Sequence, residues 1–345
     1  MPQSSRSTPL AAVAGLSLAV AGGVFLPLQG RINGALGARL EDGIAAAVVS
    51  FSTGLIVIAA VGLVLPKGRT AFRQVIPALR ERRFPRPYAL AGVIGALFVI
   101  AQVFTVGVLG VALFTVAVVT GQTVSGLLVD RMGIAPGGKR SVTAMRILGS
   151  LLTVAAVAWA VSPRFSASNE PAALLLPVLL PVLAGFLMSF QQAMNGTATV
   201  QYGSPVAATF VNFAAGAVVL WVLLLLKLAV AGPGHALPGE WWYYLGGPMG
   251  CVFIGLAALL VRSLGVLMTG LGMIAGQLLG SLALDVVLPA PGAVVALPTV
   301  LGTLLTLGAI ILATLPWPRG ALAAGRGGRA AKPAVEAGRG PGPVG

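Results

Sequence analysis

The chain has 345 residues, 57% of them hydrophobic and only 9% charged, with a mean hydropathy of +0.97 and a formal net charge of +14. Soluble domains carry about 25% charged residues, so a chain this apolar lacks the polar surface to cover itself, and its solvent is lipid. One cysteine, Cys251, and one histidine, His235, exclude internal disulfides and leave metal chemistry almost without ligands. No metal or cofactor is expected, and enzyme chemistry starts without a convergent nucleophile, base or metal site.

A hydrocarbon core of about 30 Å takes about 20 helical residues to cross. That ruler predicts ten spans, near 10–30, 44–65, 88–107, 110–129, 142–161, 172–196, 205–226, 242–261, 265–287 and 293–315. The first follows Arg6 and has the look of a signal peptide. Its polar element recurs deep in the chain, however, which a cleaved address would not do. That element is "LPLQGRINGALG", with Gln29 and Asn33 one turn apart and Pro27 placed to bend the helix beside them. Residues 88–129 have no polar loop, yet as one helix they would run about 63 Å, so a tight turn is expected at Gly107–Gly110.

Seventeen lysines and arginines fall on the N-terminal side of these spans and four on the other, a positive-inside bias that places both termini in the cytoplasm. Seven of them lie between the second and third spans, where Phe72, Ile76 and Leu79 recur at helical spacing. That 66–87 loop reads as an interfacial segment on anionic lipid, and the basic tail after Arg319 is a second lipid contact. The net charge therefore needs no nucleic acid. The tail is rich in Gly, Ala and Pro and reads as disordered.

The chain also repeats itself. Shifted by 162, residues 29–54 lie over 191–216, matching Gln29 to Gln191, Asn33 to Asn195, Phe51 to Phe213 and Gly54 to Gly216. Ser50 falls on Asn212. Shifted by 155, residues 88–130 lie over 243–285, matching Gly92 to Gly247, Gly95 to Gly250, Gln122 to Gln277 and Asp130 to Asp285. Five spans per copy is an odd number, so the second copy enters the membrane inverted. Inverted repeats are a mark of secondary transporters, whose sites lie near the midplane between the copies. The predicted units are a cytoplasmic tail at 1–9, a first five-helix repeat at 10–161, a second, inverted repeat at 172–315 and a tail at 319–345.

The element "Q…NG…AA…F..G", followed in each half by "LGV…GQ…D", resembles the YdcZ-type branch of the drug/metabolite transporter (DMT) superfamily. The resemblance implies an all-α, EamA/DMT-like bundle of ten transmembrane helices in the bacterial inner membrane. It also implies export or exchange of a small metabolite or drug-like solute.

Side-chain amides are costly in lipid unless partnered, so the expected polar lining is Gln29, Asn33, Ser50, Gln122, Gln191, Asn195, Asn212 and Gln277. Two readings of these amides stand side by side, contact with solute and hydrogen bonding between helices. Asp130 and Asp285, at span ends, are candidates for proton or sodium coupling, or else for capping and pairing, with Arg131 or Lys139 in the case of Asp130. Arg146 is expected to snorkel to the surface. Small residues every fourth position, Gly272, Gly276 and Gly280 in span nine and Ala117, Gly121 and Ser125 in span four, predict close helix contacts. The function expected is solute transport by alternating access, and the alternative is a non-transporting scaffold or accessory subunit. The oligomeric state is open.

Overall fold

The structure, a computed structural model, describes residues 9–139, 141–167, 170–289 and 296–314. The tail up to residue 8, Arg140 and the basic C-terminal tail lie outside the described residues. Within them every regular element is helical: α1 (Pro9–Gly23), α2 (Phe25–Leu40), α3 (Gly43–Val64), α4 (Pro66–Arg80), α5 (Ala91–Met132), α6 (Ala144–Ala167), α7 (Leu175–Tyr202), α8 (Pro205–Ala231), α9 (Gly246–Val287) and α10 (Leu297–Thr314), with three short 3-10 turns between them.

Seven segments among the described residues are long and apolar enough to cross a bilayer, and a shorter apolar helix covers Leu297–Ala313. This differs from the ten expected spans in three places: the last helix is short, the expected 242–261 span lies in α9 outside its Met268–Val287 segment, and Arg86–Met132 forms one apolar segment of 47 residues. Its helix breaks at Gly110, where φ is 79° and ψ 166°. Only glycine takes that conformation without strain, so the expected turn is a single-residue break at the end of the predicted Gly107–Gly110 stretch. The first span is likewise two helices, interrupted at Val24. Pro27 supplies the cause, since it has no N–H for the Gly23 carbonyl four residues back and its ring crowds that oxygen.

The starts of α3 and α8 are capped alike. Asp42 Oδ1 accepts from the Ala45 amide at 3.0 Å, and Ser204 Oγ from the Val206 amide at 3.2 Å, each satisfying an amide that the helix itself leaves open. Helix α4 corrects the interfacial reading of residues 66–87. Phe72 and Leu79 pack inward on protein, with the Phe72 ring 4.8 Å from that of Phe210, while Ile76 stays 60% exposed. Buried Ala71, Ala78 and Phe84 join Tyr202, Ala207 and Ala208 in the same cluster. Arg69, Arg73, Arg80 and Arg82 face outward. The apolar spacing seats the helix on α7 and α8; only its basic face is left for a membrane surface.

The bundle is held by close backbone approach, and the contacts come in reciprocal sets. A Cβ on Gly121 would stand 2.0 Å from the Val182 carbonyl oxygen, and one on Gly276 1.9 Å from that of Val20. Similarly Gly92 abuts the Asn212 carbonyl and Gly247 the Ser50 carbonyl, at 1.8 and 1.9 Å for an added Cβ. Phe51 covers Gly216 and Phe213 covers Gly54, and the two rings meet with centroids 5.1 Å apart. In each set both partners are matched by the 162 and 155 shifts. Helices α6 and α10 add a set that the sequence comparison missed. Gly149 takes Ala309 and Ala313, while Gly302 takes Ala156 and Ala160, positions offset by 153. The small-residue stripes of α5 and α9 thus seat α7 and α1 respectively.

Candidate functional site

The amides of α2 and α7 point across the seam onto glycines of the opposite copy. Gln29 lies against Gly250, whose added Cβ would be 2.9 Å from its Oε1. Gln191 lies against Gly95, whose added Cβ would be 2.6 Å from its Nε2. A side chain at either glycine would displace the amide, so the small residue is what admits a polar group to a helix contact.

The two copies then diverge. Gln191 Nε2 and Asn195 Nδ2 both donate to Asn212 Oδ1, each at 3.0 Å, so this trio closes on itself. The matching trio is Gln29, Asn33 and Ser50, and a serine hydroxyl is too short to take Asn212's part. Asn33 Nδ2 instead donates to Gln102 Oε1 at 3.0 Å. The buried Asn33 Oδ1 and Ser50 Oγ have no hydrogen-bond partner among the described residues. Gln102 was not among the expected lining. Its counterpart under the 155 shift is Ala257, so no repeat marked it; an isolated glutamine in an apolar span was the only signal.

Gln122 Nε2 rests on Met188 Sδ at 3.6 Å, and its carbonyl accepts from Ser189 Oγ at 2.9 Å. Gln277 is buried with Oε1 unpartnered, and with Pro27, Gln102 and Thr115 it lines a void of about 10 Å3, where about one water fits. All eight expected residues are thus buried or half-buried between helices, and the void beside Gln277 is nearly closed.

The two carboxylates have different partners. Asp285 Oδ1 and Oδ2 accept from the amides of Val111 and Ala112 at 2.9 and 2.7 Å, capping the helix that restarts after Gly110. Arg164 donates to the carbonyls of Val108 and Leu109 on the other side of that break, at 2.6 and 3.1 Å. A break between two helices leaves amides and carbonyls without intrahelical partners; this pair satisfies them. Asp130 is ion-paired with Arg146, neither with Arg131 nor with Lys139. Arg146 therefore does not snorkel free; the carboxylate sixteen residues before it holds it.

The chain matches the family described as "Putative inner membrane exporter, YdcZ" over residues 14–159 and again over 176–312. It belongs to this family. None of the curated proteins compared with the chain matches it. A YdcZ-family chain with this many apolar helices is a multi-pass inner-membrane protein of a transporter family, whose kind of function is not enzymatic and acts on a small-molecule solute. Among the described residues no cluster of three or more His, Cys, Asp or Glu could hold a metal. Among the described residues the polar groups of this YdcZ-family seam are amides and hydroxyls, which interact by hydrogen bonds rather than by charge.

Proposed function

We propose that this YdcZ-family protein exports or exchanges a small metabolite or drug-like solute by alternating access. Two inverted five-helix repeats, 10–161 and 172–315, rock against each other about the Phe51–Phe213 contact. The observation that carries the reading is the reciprocity of the cross-copy packing: the contacts of Gly92, Gly121, Gly54 and Gly149 on the other copy are returned by Gly247, Gly276, Gly216 and Gly302 at the matching positions. Two such copies can exchange conformations, and the exchange moves an opening from one membrane face to the other. Ten crossings, with both termini in the cytoplasm, follow from dividing α5 at Gly110 and α9 at the matching Gly265. The outward arginines of α4 and the basic tail then lie against anionic lipid.

The unpartnered atoms of Asn33, Ser50 and Gln277 favour solute contact over pure helix joining, because a buried polar group without a partner is costly. For Asp130 or Asp285 to couple flux to a proton or sodium ion, the Arg146 pair or the Val111–Ala112 cap has to open during the cycle. A second reading, the non-transporting scaffold, draws on the amide trio of Gln191, Asn195 and Asn212, which closes on itself.

Counterflow into proteoliposomes separates the two readings. Across a panel of radiolabelled amphipathic carboxylates, amines and neutral amides, protein-dependent flux of at least one class is expected. Asn33→Ala and Asn195→Ala should each lower it about tenfold, the effect of about 1.4 kcal/mol of lost binding. Folded protein that moves none of the panel, and is unaffected by either change, establishes the scaffold instead.

A further inference from the structure

The two matched aspartates serve different copies. Asp285, near the end of α9 in the second copy, reaches into the first: its carboxylate oxygens accept from the Val111 and Ala112 amides of α5 at 2.9 and 2.7 Å. Four residues on, the Pro289 carbonyl accepts from Arg31 of α2 at 3.0 Å. The first copy thus holds the end of α9 at two points. Asp130 stands at the matching place in α5, 155 residues earlier, but stays within its own copy, paired with Arg146 of α6. The carbonyl four residues beyond it, on Ile134, is met from the second copy by Thr197 Oγ1 at 2.9 Å. One aspartate joins the copies and its twin does not.

The amides that Asp130 would take by the same rule are present in the chain. The 155 shift carries Val111 and Ala112 onto Val266 and Leu267, just after Gly265, the match of Gly110. Each aspartate therefore has two settings, a buried cap on the other copy and a place beside its own, and in this structure each occupies a different one. Their surroundings differ to match. Asp285 is 5% exposed, whereas the Asp130 and Arg146 side chains are 21% and 28% exposed, so solvent screens the ion pair and not the cap. The 153 offset of α6 and α10 puts Thr299 in the place of Arg146. On its own copy's side Asp130 has a cation and Asp285 a neutral hydroxyl, which favours the arrangement seen.

We infer that Asp285 and Asp130 are alternating clasps between the copies. In this state Asp285 caps Val111 and Ala112 while Asp130 is parked on Arg146; in the exchanged state Asp130 leaves Arg146 to cap Val266 and Leu267, and Asp285 lets go. The inference rests on the alternating-access reading and names the side chains that hold each of its states.

The Asp285 clasp coincides here with one shut mouth and one open space. Leu40 is buried two residues before Asp42, which is ion-paired with Lys227. A cavity of about 720 Å3 lies between α3, the start of α4, the start of α8 and α9, with Val206 in its wall. Single cysteines, Leu40→Cys or Val206→Cys in a Cys251→Ser background, report the two places through their rate of modification by N-ethylmaleimide, in full-length protein in phosphatidylcholine vesicles. Asp285→Ala should speed the reaction at Leu40→Cys about tenfold and slow it at Val206→Cys, since loss of a charged cap weighs on one state only. Arg146→Gln, which releases Asp130, should act in the same direction, and Asp130→Ala in the opposite one. That opposition decides the matter, because removing either half of a purely structural ion pair has the same effect. Where Asp285→Ala does not fold, Asp285→Asn keeps one acceptor and should give a smaller shift of the same sign. Asp130→Ala and Arg146→Gln acting alike, or leaving both rates unchanged, overturns the proposal, and so do folded Asp285 variants that label as the unsubstituted protein does. Opposite shifts without counterflow of any solute keep the clasps and remove the transporter; counterflow with Asp130→Ala and Arg146→Gln acting alike does the reverse.

Discussion

The two ends of the α3–α8 seam are built from matching positions and do opposite things. At one end Asp42, before α3, holds Lys227 of α8 at 2.8 Å. Lys227 also donates to the Gly232 carbonyl at 2.7 Å, and the His235 amide donates to the Leu40 carbonyl at 2.8 Å. That end is shut by an ion pair and a loop. At the other end the 162 shift puts Ser204 in place of Asp42, Leu65 in place of Lys227 and Tyr202 in place of Leu40. With no ion pair to draw it together, that end holds the 720 Å3 cavity. A duplicated scaffold has thus been given a latch at one mouth and an open space at the other. The direction of an alternating device is set by such differences, not by the symmetric packing beneath them.

Breaking the shared packing should have the largest effect, and equally in both copies. Gly92→Leu and Gly247→Leu each drive a side chain into a carbonyl of the facing helix. Overpacking a core usually costs about 1–3 kcal/mol, and here two backbones must also part, so loss of monodisperse folded protein on size exclusion is expected for both. Gly126→Leu, where an added Cβ meets nothing, should be tolerated. If one member of the glycine pair tolerates leucine, the two contacts are not equivalent and the exchange of conformations loses its basis.

Converting the latch end into the pocket end comes next. Lys227→Leu alone leaves a buried Asp42 without its cation. Breaking a fully buried pair costs about 3–5 kcal/mol, but Lys227 is 22% exposed, and screening brings the expectation to about 1–3 kcal/mol. Adding Asp42→Ser reproduces Ser204 and Leu65 and retains a helix cap, so stability should partly return while the mouth stays open. A cysteine at Leu40 in a Cys251→Ser background should then react faster with an impermeant thiol reagent. Unchanged reactivity means that the Gly232–His235 loop, not the ion pair, does the closing.

Much of this comparison was legible in the sequence, because duplication leaves pairs of scarce residues at fixed offsets. The reciprocal glycines and both amide pairs were found that way. What escaped belongs to one copy only or depends on a pairwise contact across the seam. Gln102 matches an alanine, Tyr202 matches a leucine, and the Asp285 cap joins residues 174 apart. No periodicity encodes such contacts. The apolar spacing of α4 was seen but its partner misread, since a stripe of Phe72, Ile76 and Leu79 fits a protein groove as well as a membrane surface. Inclusion of Arg146 in an ion pair was hidden for the same reason: sequence places a charge along a helix but not what faces it.

A smaller effect is expected at the Gly110 break. Asp285→Asn keeps one acceptor for the Val111 and Ala112 amides and loses the charge, costing about 1 kcal/mol as caps do. Asp285→Ala leaves both amides open in an apolar setting and should cost about 2 kcal/mol or more. Thermal unfolding in detergent measures both. Equal midpoints for the two variants would mean that the carboxylate is not what holds the break.

The last expectation concerns the latch and acidity. Burial pushes the Asp42 carboxyl up, but the Lys227 hydrogen bond, the Ala45 and Ile44 amides and the Lys227 charge outweigh it, so its pKa lies below the ordinary carboxylate value. A group depressed in the folded state contributes stability above its unfolded pKa of about 3.9, and that contribution fades as pH falls through the folded value. The difference in unfolding midpoint between the wild type and Asp42→Asn should therefore stay constant from about pH 8 to 5 and shrink only below about pH 4. A gap that closes between pH 7 and 5 would require a carboxyl raised by burial, and with it a latch whose lysine contributes less than its desolvation costs. The acid range thus tests whether the shut mouth is held by charge or merely by packing.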